Sequence, residues 1–426
     1  MKEDLLHFIW GQKKLHGRQL TSTASEAITI KAPGVPNQYA GPDFFNAKIE
    51  INSQLWVGNV EIHLKSSDWY AHNHQADSNY NNVILHVVWE DDIAIFRKDG
   101  SVIPTLELRN YVSGELLQKY QDLFEKSNPK FINCEKDFAE LDSFLVGHWL
   151  HRLYIERLEE KSNRIGALLE QSSNDWEGVL FTLLARNFGT KVNGNYFLDR
   201  ALQLEYAIIR KVGTSPEALE SLLFGHFGLL EAEDCADYYF LQLQKEYHYL
   251  SRKFNLVPAI SKPNFFGLRP ANFPTIRISQ LAHLYVKEQH LFSLLMETHT
   301  LADIYSIFEI AASPYWDEHY TFGKSSKKSK KKLSKSFIDL LVINTIVPLK
   351  FCYSRHIGLD WNEDLITLVS DVAKEQNSII QNFENIGSKT NNAMESQAKI
   401  QLYSHYCSKN KCLRCALGTH LLNRNT

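Results

Sequence analysis

Near residue 140 the hydrophobic period of the chain changes from two to about 3.6, and this switch limits the possible folds more than any other feature. Upstream of it, residues 25–32, 43–52, 54–65, 82–90 and about 93–97 are rich in β-branched and aromatic residues and are separated by turn formers, which predicts strands. "INSQLW" reads as a hairpin connection and Asp99-Gly100 as a turn, and the amphipathic "MKEDLLHFIWGQKKLHG" predicts an opening helix. Downstream, Leu145, Trp149, Leu153 and Leu158 fall roughly on one helical stripe, and segments such as "ALESLLFGHFGLL" and "FIDLLVINTIVPLKF" continue in that style. The expected fold class is therefore α+β. A mixed sheet module of one helix and four to five strands spans 1–135, followed by a large helical domain over 136–426.

The 426 residues carry a formal net charge of -3, so a nucleic-acid partner must be met by a local patch and not by the field of the whole molecule. The densest patch is "GKSSKKSKKKLSK", residues 323–335, expected to be a mobile loop because like charges repel and nothing in it builds a core. It is either a solvated insertion or a phosphate contact through Lys327, Lys328, Lys330, Lys331 and Lys332. Arg269 and Arg277, in "GLRPANFPTIRISQLA", either join that contact or tie their own loop to its neighbours. No apolar run approaches the ~18 residues that span a bilayer, and the acidic start lacks a small-residue cleavage site. These points predict a cytoplasmic protein with no membrane partner.

The candidate chemistry concentrates in the sheet module, from Asp43 to His86. Alternation along Val60-Glu61-Ile62-His63-Leu64-Lys65 puts Glu61, His63 and Lys65 on one strand face. Hairpin pairing with the preceding strand brings Asp43 towards Glu61, and two such carboxylates are the minimum for holding Mg²⁺ or Mn²⁺ beside a phosphodiester. His72, His74 and Asp77 follow in a loop of "SSDWYAHNHQADSNY", where they are surface residues or transition-metal ligands. His86 interrupts the apolar run "VILHVVW" and needs a partner, either backbone or a metal.

At the other end, "HYCSKNKCLRCALG" spaces Cys407, Cys412 and Cys415 as C-x4-C-x2-C, a pattern suited to zinc or an iron–sulfur cluster, with His405, Cys134 or Cys352 as the fourth ligand. Six cysteines are too few for a disulfide scaffold in a chain of this size.

Pro42-Asp43 leading one strand and Glu61-Ile62-His63 on the next resemble the PD-(D/E)XK nuclease core, over about 90 residues, with Glu3 matching an acidic residue on the opening helix. That family has Lys where this chain has His63, which leaves Lys65 as the alternative source of charge. The resemblance implies a metal-dependent nuclease-like protein: Asp43 and Glu61 hold the metal, His63 lies nearest the attacking water, and Lys65 stabilises the transition state. Two further readings stand beside it. One is a non-catalytic nucleic-acid or protein binding module with a structural metal site. The other is a small-molecule metallohydrolase built on His63, His72, His74 and His86. "GPDFFNAKI", "GNVEIH", "SSDWYAHNH", "NNVILHVVW", "LRPANFPTIR", "INTIVPLKF" and "YCSKNKCLRCALG", in this order, resemble the bacterial family of domain of unknown function 2851 over nearly the whole chain. That likeness implies a single cytoplasmic protein in which sheet module and cysteine tail belong together.

Overall fold

The computed structural model describes every residue except 18, 38, 125–129, 233, 361, 425 and 426. The chain forms two compact units, Met1–Trp149 together with Tyr403–Thr426, and Leu150–Leu402. This division differs from the 1–135 and 136–426 expected from periodicity. The chain's end returns to the sheet unit: Phe131 stacks on Tyr403 at 5.0 Å, and Trp149 stands edge-on to Tyr406 at 5.5 Å. Periodicity records how each segment folds locally and is blind to which distant segment it packs against.

In the first unit, helix α1 (Glu3–Gly11) lays Leu5, Leu6, Ile9 and Trp10 into the core, and Trp10 donates its ring N–H to the Pro33 carbonyl at 3.0 Å. The strands are β1 (Leu20–Thr21), β2 (Ala27–Ala32), β3 (Val35–Pro36), β4 (Phe44–Ile51), β5 (Gln54–Lys65), β6 (Val83–Glu90) and β7 (Thr105–Glu107). They form one sheet in the order β1-β2-β4-β5-β6-β7, with β3 pairing β4. The β4–β5 hairpin is antiparallel, whereas β6 joins β5, and β7 joins β6, in parallel. A mixed sheet was expected, and four of its strands lie within two residues of the sequence reading. Residues 93–97 are not a strand but one arm of a turn, touching its other arm at the single bridge Phe96–Val102. The two-residue strands and β7 are too short to show a period.

Burial explains why alternation was only half of the story. Val60, Ile62, Glu61 and His63 are all buried, so the central half of β5 is covered on both faces. Gly58 permits the close approach of β6: a Cβ there would lie 2.4 Å from Ile84 Cγ2 and 2.7 Å from the Asn82 carbonyl.

The second unit is helical among the described residues, apart from a small ribbon of His319–Thr321 with Lys324–Ser325. Its helix Lys335–Ile357 is long and apolar enough to cross a membrane, contrary to the sequence expectation, but 72% of its most apolar window is buried inside the protein. A π-helical turn at Val342–Ile346 joins its two α-helical parts next to Pro348, whose missing N–H and ring disfavour a regular ladder. The lysine run is tethered and not a free arm. Lys331 is buried, donates to the Asp317 and Ser329 carbonyls and lies 4.2 Å from the centre of the Tyr320 ring, while Lys328 and Lys332 pair with Glu318 and Glu309 at 3.2 Å.

Candidate functional site

The β4–β5 hairpin builds the first wall. A bulge shifts the register between Phe44 and Ala47, with Asn46 at φ +57°, and it sits directly after Asp43. Asp43 Oδ2 accepts the Ile62 N–H at 2.9 Å, and Glu61 Oε2 accepts the Asp43 N–H at 3.2 Å. The two carboxylates are thus locked to each other's strands at one end of the hairpin, as pairing predicted.

The second wall comes from the segment after β5. Ser66 and Ser67 are held by Asp92 at 2.8–2.9 Å, which fixes the start of the short helix α2 (Asp68–Ala71). Asn73 then turns the chain in a left-handed conformation, φ +60°, between His72 and His74. His74 stacks on Tyr80 at 3.8 Å, and Trp69 and Tyr80 belong to the apolar cluster behind it.

Three histidines and Glu61 converge. His63 Nε2 lies 3.1 Å from His72 Nδ1 and 3.4 Å from Glu61 Oε1, and His74 Nε2 lies 3.3 Å from the same Glu61 oxygen. His74 Nε2 has no hydrogen bond, so its approach to Glu61 lacks hydrogen-bond geometry. His63, His72 and His74 each offer a ligand atom, all within 4.8 Å of one another, and so do Glu3, His7 and Asp43. His7 Nε2 is 3.4 Å from Asp43 Oδ2. Behind the first triad, the fully buried His86 meets His63 Nδ1 through its Nε2 at 2.8 Å, which leaves His63 Nε2 facing the cluster. His72 is exposed and marks the side open to solvent.

Burial sets the charge states. It lowers the His63 pKa to about 4, helped by His74 and His72, and lowers those of His74 and His86 as well. It raises the Glu61 pKa to about 9, with the Asp43 charge adding to the effect. The Glu61–His63 contact is therefore not an ion pair, because both groups are driven to their neutral forms. For His7, burial opposes protonation, but the pull of Asp43 wins and holds its pKa above the usual value. Neutral imidazoles present lone pairs, and a buried carboxylate regains its charge most easily beside a cation.

Several expected members stand elsewhere. Lys65 shares the strand face but lies one step beyond the cluster, exposed and 3.9 Å from Glu90. Asp77 is exposed and accepts the Asn79 N–H at 2.9 Å, capping the turn Ser78–Tyr80, so it is a local cap and not part of the cluster. His86 meets His63 from behind and does not face the cluster itself. Arg277 is buried under Asn272, Gln280 and the Phe337 ring, and with Lys331 it is not available to phosphate. Arg269, Lys327 and Lys330 remain exposed. His7 was missed, although its i,i+4 spacing from Glu3 on an amphipathic helix put the two on one face.

The fold and site define an α+β protein whose sheet carries a buried histidine–carboxylate cluster able to take a metal ion. The chain belongs to the family described as Protein of unknown function (DUF2851), whose sequence model matches residues 3–378. The match includes every member of the cluster and ends before the cysteine array. No curated protein and no solved structure matches the chain.

Proposed function

We propose that the protein is a metal-dependent hydrolase acting on phosphodiesters, with its first cation held by His63, His72 and His74. The observation that carries this reading is metric. Around a tetrahedral ion with bonds of about 2.1 Å, neighbouring ligand atoms are about 3.4 Å apart. His63 Nε2 lies 3.1 Å from His72 Nδ1 and 3.4 Å from Glu61 Oε1, His74 Nε2 lies 3.3 Å from that oxygen, and the ligand atoms of the three imidazoles lie within 4.8 Å of one another.

A cation in this position polarises a phosphoryl oxygen and lowers the pKa of bound water. Glu61 either completes the ligand set or accepts the proton from that water, since its Oε1 faces the histidines. His86 orients His63. Glu3, His7 and Asp43 offer a neighbouring site for a second cation, an arrangement suited to the charge of a phosphodiester. The likeness to the PD-(D/E)XK core supports the same substrate class through Asp43 and Glu61, while His63 replaces that core's lysine and acts as a ligand. Nucleic acid is the natural polymer with this linkage, and Arg269, Lys327 and Lys330 remain candidates for contact with it.

One feature favours a second reading. Three imidazoles with Glu61 beside two of them could also enclose an ion with no position left for substrate, which describes a structural zinc site in a non-catalytic binding module equally well. Elemental analysis of the purified protein, paired with hydrolysis of bis(p-nitrophenyl) phosphate and of single- and double-stranded oligonucleotides, separates the two. The hydrolase predicts cation-dependent turnover that His63→Ala abolishes. Bound metal with no turnover on any of these substrates selects the structural site, and absence of metal under all loading conditions removes both.

A further inference from the structure

We infer that Cys134, Cys407, Cys412 and Cys415 together hold an iron–sulfur cluster. All four belong to the first unit, although Cys134 precedes the second unit in sequence and the other three follow it. The segment around Cys134 is pinned to the cysteine loop: Asn133 Nδ2 donates to Asn410 Oδ1 at 3.1 Å and to Cys412 Sγ at 3.3 Å. The remaining candidates for a fourth ligand lose ground on this placement. Cys352 lies in the second unit, where its thiol donates to the Ser162 carbonyl at 3.8 Å, and a cysteine matches the soft ligand set better than His405 does.

Burial favours the neutral thiols, and donors near the sulfurs oppose it. Besides Asn133, which donates to Cys412 Sγ, the backbone N–H groups of Gly418 and Leu417, at the start of helix Ala416–Asn423, and the Trp149 side chain pull the Cys415 pKa down against the larger rise from burial. Donors aimed at sulfur stabilise negative charge, as does the positive end of a helix, and a neutral thiol gains little from either. Gly418 fits this close turn because a Cβ there would lie 2.3 Å from the Cys412 carbonyl oxygen. Cys134, Cys412 and Cys415 are buried. Because Asn133, next to Cys134, bonds both Asn410 and Cys412 in the 407–415 loop, the four cysteines share one neighbourhood.

Spacing decides between the two metals that four thiolates commonly hold. Zinc with bonds of about 2.3 Å sets its sulfurs about 3.8 Å apart. Among the described residues, groups of three ligand atoms within 4.8 Å of one another occur twice, and neither includes a cysteine. In every trio of these sulfurs at least one separation therefore exceeds 4.8 Å, more than a single zinc tetrahedron sets, as expected when each binds a different corner of a multi-iron cluster. Such a cluster would close the chain between residue 134 and the 407–415 loop and fasten its two visits to the first unit.

The test is anaerobic purification of the full-length protein, followed by iron, zinc and acid-labile sulfide analysis and electron paramagnetic resonance before and after dithionite. The expected result is iron and labile sulfide in equal amounts, with a cluster signal in one redox state. Cys134→Ser should lower both at least tenfold, and Cys352→Ser should leave them unchanged. Analysis of the parent protein decides the matter even where a variant fails to fold. Zinc without labile sulfide overturns the cluster, absence of any metal overturns the site, and a cluster that survives Cys134→Ser but is lost in Cys352→Ser overturns the assignment of the fourth ligand. Labile sulfide and its loss in Cys134→Ser report on the cysteines alone, whose residues are separate from the histidine site, whereas absence of any metal also counts against that site.

Discussion

Both units bury titratable groups, but they treat them in opposite ways. In the second unit Arg200 and Lys350 are answered by oxygen atoms of the protein. Arg200 donates to the carbonyls of His226 and Val257 at 2.8 Å and to Gln203 Oε1 at 2.6 Å, and His226 Nε2 returns a bond to the Arg200 carbonyl at 2.7 Å. Lys350 meets the carbonyls of Leu295, Met296 and Thr298 at 2.7–2.9 Å, beyond and within the last turn of helix Leu291–Glu297. In the first unit, imidazoles face imidazoles, and His74 Nε2 and His86 Nδ1 have no hydrogen-bond partner. Self-satisfied networks hold a fold together. A cluster that leaves buried ring nitrogens without partners gains more from an added ligand than such a network does.

The largest effect that tests this contrast is loss of function without loss of fold. His63→Ala or His74→Ala should remove most bound metal and reduce phosphodiester hydrolysis by about 10²-fold or more. The metal-free melting temperature should fall more in His63→Ala, which loses the 2.8 Å contact with His86 and leaves a buried void, than in His74→Ala, whose Nε2 has no hydrogen bond to lose. Saturating metal should raise the melting temperature of the parent and not of the variant, since only the parent binds it. Collapse of the metal-free variant would place these histidines in the same structural class as Arg200.

The converse test is Arg200→Met. It leaves the His226 ring, Gln203 and the carbonyls of His226, Val257 and Pro258 without their donor, and the expected loss is about 3–5 kcal/mol, read by chemical denaturation. Metal content per folded molecule should be unchanged. A neutral result would mean that the second unit's networks hold less of its stability than their geometry indicates.

Sequence reasoning read the two regions unequally, for physical reasons. Alternation in Val60–Lys65 correctly placed Glu61 and His63 on one face, and pairing placed Asp43 beside Glu61, because both follow from strand geometry alone. The same rule gave Lys65 the right face and the wrong membership, since a shared face says nothing about where along the strand a site ends. His72 and His74 join through a left-handed residue at Asn73, and no period encodes such a turn. His226 and Arg200 could not be foreseen as partners because they come from different helices, Pro216–His226 and Thr190–Leu202. The return of the cysteine tail to the first unit is likewise a long-range contact, invisible to any local pattern.

A third prediction concerns pH. Burial lowers the His226 pKa to about 4, and its Nδ1 faces the Arg200 guanidinium at 3.2 Å, where it can only accept. The folded state thus refuses a proton that the unfolded state takes up below its usual pKa near 6.5. The neutral ring's contribution is complete above that value and is lost as pH falls towards 4, a loss of about 3 kcal/mol. Unfolding free energies measured from pH 7 to 4 in the parent and in His226→Gln should differ in slope by up to one proton. Equal slopes would show that Arg200 yields and lets the ring titrate normally.

The smallest expected effect is also the sharpest on the nuclease resemblance. In that resemblance Lys65 is the alternative source of the charge that His63 does not supply, so its removal should be as damaging as loss of a ligand. In the structure it is exposed, faces Glu90 at 3.9 Å and lies beyond the histidines, and an ion pair of this kind contributes about 0–1 kcal/mol. Lys65→Ala should therefore change hydrolysis less than about twofold and stability by less than about 0.5 kcal/mol. A loss comparable to that of His63→Ala would mean that the lysine swings into the site when substrate binds. Catalysis would then depend on a charge drawn from the strand's end, and the histidines' share would shrink to holding the metal.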